Sequence, residues 1–204
     1  MTTFLPHDLL WIDRCETLPV DAPDWACNAL RQGNPVVVRR ASCEVDQVAV
    51  GVRGLSREHR YAAVVPKSAV LRHVSPEQLS LATAAVWPAL QALRLLEPVL
   101  NASGLVWGVG GSAGFELATG IRALHQDSDL DLILRTPEPL DRQQAAQLLQ
   151  QLQTPLCRVD AQLQTPWGGV ALSEWASAAR RVLLKANEGA RLVSDPWQPL
   201  EYAA

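Results

Sequence analysis

The stretch Asp127-Ser128-Asp129-Leu130-Asp131-Leu132 decides how the second half of this chain is interpreted. Residues 130–134 are rich in leucine and predict a buried β-strand. Because successive side chains of a strand point to opposite faces, Asp129 and Asp131 should point one way and the leucines the other. Two neighbouring carboxylates repel each other unless a cation lies between them. The stretch therefore predicts an Mg²⁺ site shared with substrate phosphates, or else a solvated acidic turn ahead of a buried strand.

A glycine turn precedes this stretch. Residues 105–109 predict a strand, Gly110-Gly111-Ser112 follows it, and residues 115–118 predict a short helix. Glycines let a backbone approach a phosphate closely, and the start of a helix offers unbonded N–H groups. We expect Gly111 and the Ser112 hydroxyl to bind substrate phosphate, with a tight turn that needs a positive φ as the alternative. The spacing fits neither the dinucleotide-binding motif nor the P-loop, so both classes are excluded.

A third carboxylate, Asp160, lies in a predicted strand over residues 156–163. A predicted helix over residues 141–152 separates this strand from the first acidic stretch. One intervening helix is the usual connection between parallel neighbours, so the new strand can lie beside Asp129 and Asp131. We predict that the three aspartates act together as catalytic and metal-binding residues; the alternative for Asp160 is an outward-facing strand residue.

The rest of the chain predicts an α+β protein of two lobes. Its 204 residues suit one domain or two small ones. A helix is predicted to begin near Pro76 and to run to about Leu100. Pro88, in its middle, should kink or split it. This helix is predicted to bridge the two lobes. We divide the chain into a β-rich N-terminal lobe, residues 1–80, and an α/β catalytic lobe with a mixed sheet, residues 81–204. Strands of the first lobe are predicted at residues 36–38, 45–52 and 61–65.

Charge and cysteine content exclude several classes of protein. Acidic residues outnumber basic ones, 21 to 18, which argues against a nucleic-acid-binding surface. The four cysteines form no CxxC pair and fit no zinc site. No apolar stretch approaches the roughly 20 residues of a membrane span, and the first residues do not resemble a signal peptide. We expect a cytoplasmic protein that binds neither nucleic acid nor membrane.

Together, Gly111-Ser112, Asp129-Leu130-Asp131-Leu132 and Asp160 resemble the signature of the nucleotidyltransferase superfamily, which has the polymerase beta fold. The signature is a glycine turn, an alternating Asp pair and a third carboxylate on a later strand. One departure is the spacer Ala113–Ser128, whose sixteen residues exceed the superfamily's usual range. Within it, Glu116 is either a surface residue of the short helix or a partner for the turn.

A closer resemblance covers almost the whole chain. Several segments are similar to the phosphoribosyl-dephospho-CoA transferases of malonate decarboxylase systems, the holo-acyl-carrier-protein synthases. The segments are Pro6-His7-Asp8-Leu9-Leu10-Trp11, Pro35-Val36-Val37-Val38-Arg39-Arg40, Gly111-Ser112-Ala113-Gly114-Phe115-Glu116-Leu117-Ala118-Thr119-Gly120, Ser128-Asp129-Leu130-Asp131-Leu132 and Asp195-Pro196-Trp197.

The resemblance implies a reaction. Members take 2′-(5″-triphosphoribosyl)-3′-dephospho-CoA as donor, and a serine of the apo acyl-carrier subunit attacks its α-phosphate, which releases diphosphate. Asp129 and Asp131 would hold Mg²⁺, and Asp160 would ligate a metal ion or accept the serine proton. Arg181 and Lys185 share one face of a predicted hairpin strand and would bind the departing diphosphate, unless that face is merely solvated.

Other functions stay open at this point. The chain is alternatively another metal-dependent nucleotidyltransferase, such as an adenylyltransferase, or an enzyme that modifies the related citrate lyase carrier. A further alternative, an inactive nucleotidyltransferase-fold binding module, is disfavoured because Asp129, Asp131 and Asp160 are all present.

Overall fold

A computed structural model describes residues 3–54, 59–80 and 86–198. Over these residues the chain is an α+β protein with two sheets, and one sheet is mixed. This confirms the predicted class and the predicted mixed sheet. The chain divides into two compact units, Met1–Pro76 and Glu77–Ala204. The predicted lobe boundary adjoins residues 81–85, which lie outside the described residues, so the division after residue 80 stays a prediction, as does the polymerase beta fold.

The first unit contains a five-stranded antiparallel sheet and one α-helix among its described residues. The sheet order is β4-β3-β2-β1-β5. Leu10, Val36 and Val50 are fully buried at its centre. The elements are β1 (Leu9–Ile12), α1 (Asp24–Arg31), β2 (Val36–Val38), β3 (Gln47–Arg53), β4 (Arg60–Pro66) and β5 (Val70–Val74).

The second unit contains a six-stranded sheet in the order β11-β10-β9-β8-β7-β6. Every neighbouring pair is antiparallel except β7 and β8, which are parallel. The elements are α2 (Pro88–Ala102), β6 (Val106–Val109), α3 (Gly111–Thr119), β7 (Leu130–Arg135), α4 (Arg142–Gln151), β8 (Val159–Thr165), β9 (Gly168–Ala171), α5 (Leu172–Trp175), β10 (Val182–Ala186) and β11 (Gly189–Val193).

One face of β7 forms the centre of the second unit's core. Leu130, Leu132 and Leu134 are completely buried, in a cluster with the apolar faces of α2 and α4. Burial of each leucine contributes about 1.5–3 kcal/mol. The alternation of strand side chains then leaves Asp131 on the opposite face of the sheet. The leucines therefore orient the acidic residue.

The helix predicted between the lobes differs from the one observed. Pro76–Gln78 forms a short 3₁₀ turn, and α2 begins only at Pro88. Proline is favoured at the first helical position because its missing N–H has no intrahelical acceptor there. Pro88 therefore starts a helix instead of splitting one. The hydroxyl side chain of Ser173 predicts an N-cap for a short helix through Ala178, but α5 begins at Leu172 and its N-cap is Ala171.

The helix after β7 was predicted correctly from its sequence. Asp141 precedes α4, and its carboxylate accepts a hydrogen bond from the backbone N–H of Gln144, which completes a capping box. Such a cap contributes about 1 kcal/mol. It starts the crossover helix that brings β8 alongside β7. In the described part of the chain, no helix has the length and apolar character needed to cross a membrane.

Candidate active site

Asp131 and Asp160 lie side by side on neighbouring parallel strands. They are direct register partners between β7 and β8, and register partners project from the same face of a sheet. Both side chains are half-buried. The prediction that the strand of Asp160 pairs beside the strand of Asp131 is confirmed. This pair forms the centre of the candidate site.

Asp129 immediately precedes β7 and is also half-buried. The Leu130 N–H that follows it donates to the carbonyl oxygen of Arg158, 2.9 Å away. A turn on its other side is closed twice: the N–H of Ser128 donates to the carbonyl of His125, and the N–H of His125 donates to Ser128 Oγ, both at 3.1 Å. Ser128 is itself buried. The backbone of Asp129 is thus held from both sides.

The three aspartates do not form a closed cluster of metal ligands. Within residues 3–54, 59–80 and 86–198, no three His, Cys, Asp or Glu side chains are grouped closely enough to hold a metal ion alone. Mg²⁺ binds through oxygen ligands and usually takes only one or two carboxylates, with water and substrate phosphates filling its other positions. The donor set of Asp129, Asp131 and Asp160 fits that chemistry. The metal itself stays a prediction.

Gly111 lies directly against the side chain of Asp131. Its φ is +57°, and a Cβ built on it would stand 2.5 Å from Cγ of Asp131 and 2.9 Å from its Cβ. The N–H of Gly110 also donates to the carbonyl oxygen of Asp131, at 2.9 Å. Both the backbone conformation and the available space therefore exclude a side chain at residue 111. The partner observed for this glycine is a carboxylate, whereas contact with a phosphate stays a prediction.

Helix α3 places a second predicted residue, Ser112, in its first turn beside Gly111. Ser112 is half-buried. The start of a helix carries partial positive charge from its unbonded N–H groups. The carboxylate of Asp131 thus lies against the positive end of α3. The turn brings N–H groups, a hydroxyl and a carboxylate together, which suits the binding of a metal-associated phosphate.

Cys157 is a neighbour of Asp129 that sequence reasoning treated as an ordinary thiol. Burial raises its pKa, and the negative charge of Asp129 raises it further, while a hydrogen bond from the Leu130 backbone acts in the opposite direction. The thiol therefore stays protonated near neutral pH. A sequence signal for this position was lacking, because the contact depends on how the segment before β8, which contains Cys157, approaches the residue before β7.

A cavity of about 490 Å³ opens beside Asp160. Its volume lies in the range of small-molecule sites. The wall combines apolar side chains of α4 with a few polar groups, and Asp160 is the acidic residue among those that line it. The lining residues are Leu149, Leu152, Gln153, Thr154, Cys157, Arg158, Val159, Asp160, Ala161 and Ser173.

The two predicted cations lie at different ends of the sheet. Arg181 is exposed and just precedes β10, which runs in the same direction as β7, so it stands at the Asp131 end. Lys185 is one member of a cross-strand row with Gly169, Gln164 and Arg135. Strand spacings of about 4.8 Å and rises of about 3.3 Å per residue put its Cα on the order of 20 Å from that of Asp131. The structure brings Arg181 nearer to the acidic pair than Lys185.

Comparison with known proteins gives consistent matches over both units. The family model for the phosphoribosyl-dephospho-CoA transferase MdcG C-terminal domain matches residues 75–196, and the model for the MdcG N-terminal domain matches residues 5–76. No solved structure matches the chain.

Curated relatives match over nearly their full length. A protein of Pseudomonas syringae pv. tomato is 58% identical over 203 residues, covering 98% of this chain and 96% of the relative. A protein of Pseudomonas fluorescens strain Pf-5 is 59% identical over 202 residues, with 98% and 97% covered. A protein of Azotobacter vinelandii is 54% identical over 199 residues, with 95% and 94% covered. Each of these relatives is named phosphoribosyl-dephospho-CoA transferase.

Proposed function

The chain belongs to the MdcG family of phosphoribosyl-dephospho-CoA transferases, and we propose that it modifies the apo acyl-carrier subunit of malonate decarboxylase in the cytoplasm. The donor is 2′-(5″-triphosphoribosyl)-3′-dephospho-CoA, and the acceptor is a serine hydroxyl of the carrier. The family membership supports phosphoribosyl-dephospho-CoA as the group that is transferred. The carrier and the metal are the parts of the proposal that need their own tests.

The reaction is a substitution at phosphorus. The serine oxygen forms a bond to the α-phosphorus, and the bond from that phosphorus to the oxygen bridging the β-phosphorus breaks. Diphosphate leaves with the bonding electron pair, the serine proton passes to a base, and the carrier gains a phosphodiester. Phosphoryl transfer depends mainly on positioning and charge stabilisation, so the enzyme needs no nucleophile of its own.

The observation that carries the proposal is the pairing of Asp131 with Asp160 beside Gly111 and Ser112. A triphosphate placed against these carboxylates is repelled unless a cation balances the charge. Asp129 and Asp131 would hold Mg²⁺, which when bound neutralises phosphate charge and polarises the reacting phosphorus. Asp160, on the neighbouring strand, would accept the serine proton.

The remaining predicted residues take supporting roles. The backbone at Gly111 and the Ser112 hydroxyl would bind donor phosphate oxygens at the start of α3. Arg181, at the same end of the sheet as Asp131, would bind the departing diphosphate. Lys185, further along β10, would assist Arg181 in binding that diphosphate.

The proposal is tested by incubating the enzyme and Mg²⁺ with apo carrier and the triphosphoribosyl donor, followed by mass spectrometry of the carrier. We expect a phosphoribosyl-dephospho-CoA adduct on one serine. Parallel reactions with the citrate lyase carrier and with labelled ATP as donor distinguish the alternatives. Transfer from ATP, with no adduct from the triphosphoribosyl donor, would show that the enzyme is a different nucleotidyltransferase.

A further inference from the structure

Glu116, on α3, binds three hydrogen-bond donors from two other segments. Its Oε2 accepts the backbone N–H groups of Ala123 and Leu124, at 2.7 and 2.8 Å. Its Oε1 accepts the indole N–H of Trp87, 3.0 Å away. Hydrogen bonds to a charged acceptor are roughly twice as strong as neutral ones. Glu116 is therefore an anchor point for the loop that follows α3.

The anchored loop leads directly to Asp129. Leu124 is buried in the core of the second unit, and the turn from His125 to Ser128, closed by the two hydrogen bonds described above, begins at the next residue. Asp129 follows Ser128. The chain between the Glu116 contacts and Asp129 therefore contains only residues that are buried or belong to a closed turn.

The same helix carries the other half of the candidate site. Gly111, which lies against Asp131, is five residues before Glu116 on α3. Glu116 thus links a helix that contacts Asp131 to a loop that delivers Asp129. The unusually long spacer between the glycine turn and the Asp pair is held in place by this link.

We propose that Glu116 is a positioning residue, which places Asp129 relative to Asp131 by binding the two consecutive amides of the α3–β7 loop. The inference rests on the proposed function for its catalytic consequence, because the position of Asp129 affects catalysis only if Asp129 and Asp131 act together in the transfer. Its structural part concerns the loop alone. Glu116 contacts no reacting group in this scheme.

The key variant is Glu116→Ala, which removes the acceptors of all three donors. The matched control is Thr119→Val, on the same helix. Thr119 Oγ1 donates to the Phe115 carbonyl and accepts the Ile121 N–H, so the control loses two hydrogen bonds at the start of the same loop. It leaves the contacts of Glu116 with residues 123 and 124 in place.

Glu116→Gln tests the geometry without a loss of side-chain volume. The new side chain has a single amide oxygen, which can accept both backbone N–H groups. Its NH₂ group then faces the indole N–H of Trp87, so that two hydrogen-bond donors oppose each other. Trp87→Phe removes that indole N–H. We therefore expect the double variant Glu116→Gln/Trp87→Phe to recover part of the rate that Glu116→Gln alone loses.

Three measurements are made on each full-length variant: amide hydrogen exchange over residues 123–129, Mn²⁺ affinity by calorimetry, and the rate of carrier modification. Loss of a residue that orients a metal ligand typically lowers metal affinity or activity on the order of 10- to 100-fold. For Glu116→Ala we expect a loss of this size in Mn²⁺ affinity and rate, with faster exchange over residues 123–129. Thr119→Val should stay within about twofold of wild type in Mn²⁺ affinity and rate.

The outcomes separate this inference from the proposed function. If wild-type enzyme does not modify the carrier, the proposed function fails, whatever the loop exchange shows. If wild type is active but Glu116→Ala matches Thr119→Val in exchange, affinity and rate, the positioning role is refuted. Should Glu116→Ala fail to fold, Glu116→Gln decides, since equal rates for the single and double variants would contradict the proposed geometry.

Discussion

The carboxylate of Asp131 occupies the space that a side chain on Gly111 would need. A Cβ at residue 111 would lie 2.5 Å from Cγ of Asp131, in a backbone conformation that already favours glycine. The start of α3 can therefore approach β7 only because residue 111 has no side chain. This contact joins the glycine turn and the acidic strand into one site.

Gly111→Ala should impair both stability and activity, because the new methyl group must displace Asp131. Left-handed backbone at a non-glycine residue costs roughly 1–2 kcal/mol, and the displaced carboxylate should slow carrier modification on the order of 10²-fold. Gly104→Ala is the control, since Gly104 has a φ of +73° but nothing within 4 Å of a built Cβ. Thermal unfolding and the modification rate are measured for both variants. A Gly104→Ala variant as inactive as Gly111→Ala would show that backbone strain, and not displacement of Asp131, is responsible.

Asp160→Ala should reduce kcat and leave donor affinity nearly unchanged. Asp160 is proposed to act on the serine proton, which matters in the transition state more than in the bound ground state. Its rate should also rise more steeply with pH than that of wild type, because hydroxide supplies the missing base. Donor affinity by calorimetry is compared with turnover, and Gln162→Ala, two residues along the same strand, serves as the control. Equal losses of affinity and turnover would make Asp160 a donor-binding residue instead.

The thiol of Cys157 reports on the position of Asp129. Burial, followed by the charge of Asp129, raises the pKa of Cys157, so its reactive thiolate is scarce at neutral pH and increases only as the pH rises further. Asp129→Asn removes one of these causes and should lower the pKa, which speeds alkylation by iodoacetamide at a fixed pH near 8. Peptide mass spectrometry measures the rate, and the exposed Cys43 is the internal control. An unchanged Cys157 rate in Asp129→Asn would place the two side chains apart.

Arg181→Ala should weaken diphosphate binding more than Lys185→Ala does. Arg181 stands at the Asp131 end of the sheet, whereas Lys185 lies on the order of 20 Å from Asp131 by strand geometry. Loss of a charged hydrogen-bond partner should cost about 1.5–3 kcal/mol in binding. Product inhibition by diphosphate measures the effect. A larger effect for Lys185→Ala would mean that the donor phosphates lie further along the sheet.

The core of the candidate site could be predicted from local pattern, because strand alternation and a single crossover helix already place Asp131 and Asp160 together. Alternation also puts Arg181 and Lys185 on one face. It does not give strand order, and β8 and β9 lie between β7 and these residues. The strand β9 was missed because it is four residues long and contains two glycines.

The contacts that were missed are tertiary. Two of them are the proximity of Gly111 to Asp131 and the three hydrogen bonds that Glu116 accepts. Both depend on how α3 packs against β7 and against the loop that joins α3 to β7. No periodicity in the sequence encodes that packing. Similarly, α1 was missed because Pro23 precedes it without a side-chain cap, so the usual start signal was absent.

The most direct test of the central claim compares wild type, Asp131→Asn and Glu138→Gln for carrier modification with the triphosphoribosyl donor and Mg²⁺. Glu138 is an exposed carboxylate just beyond β7, so its variant controls for loss of charge near the strand. We expect wild type and Glu138→Gln to convert the carrier serine fully, whereas Asp131→Asn should be slower by at least ~10²-fold with its fold intact. Carrier modification by Asp131→Asn at the wild-type rate would contradict the claim that the transfer requires this carboxylate.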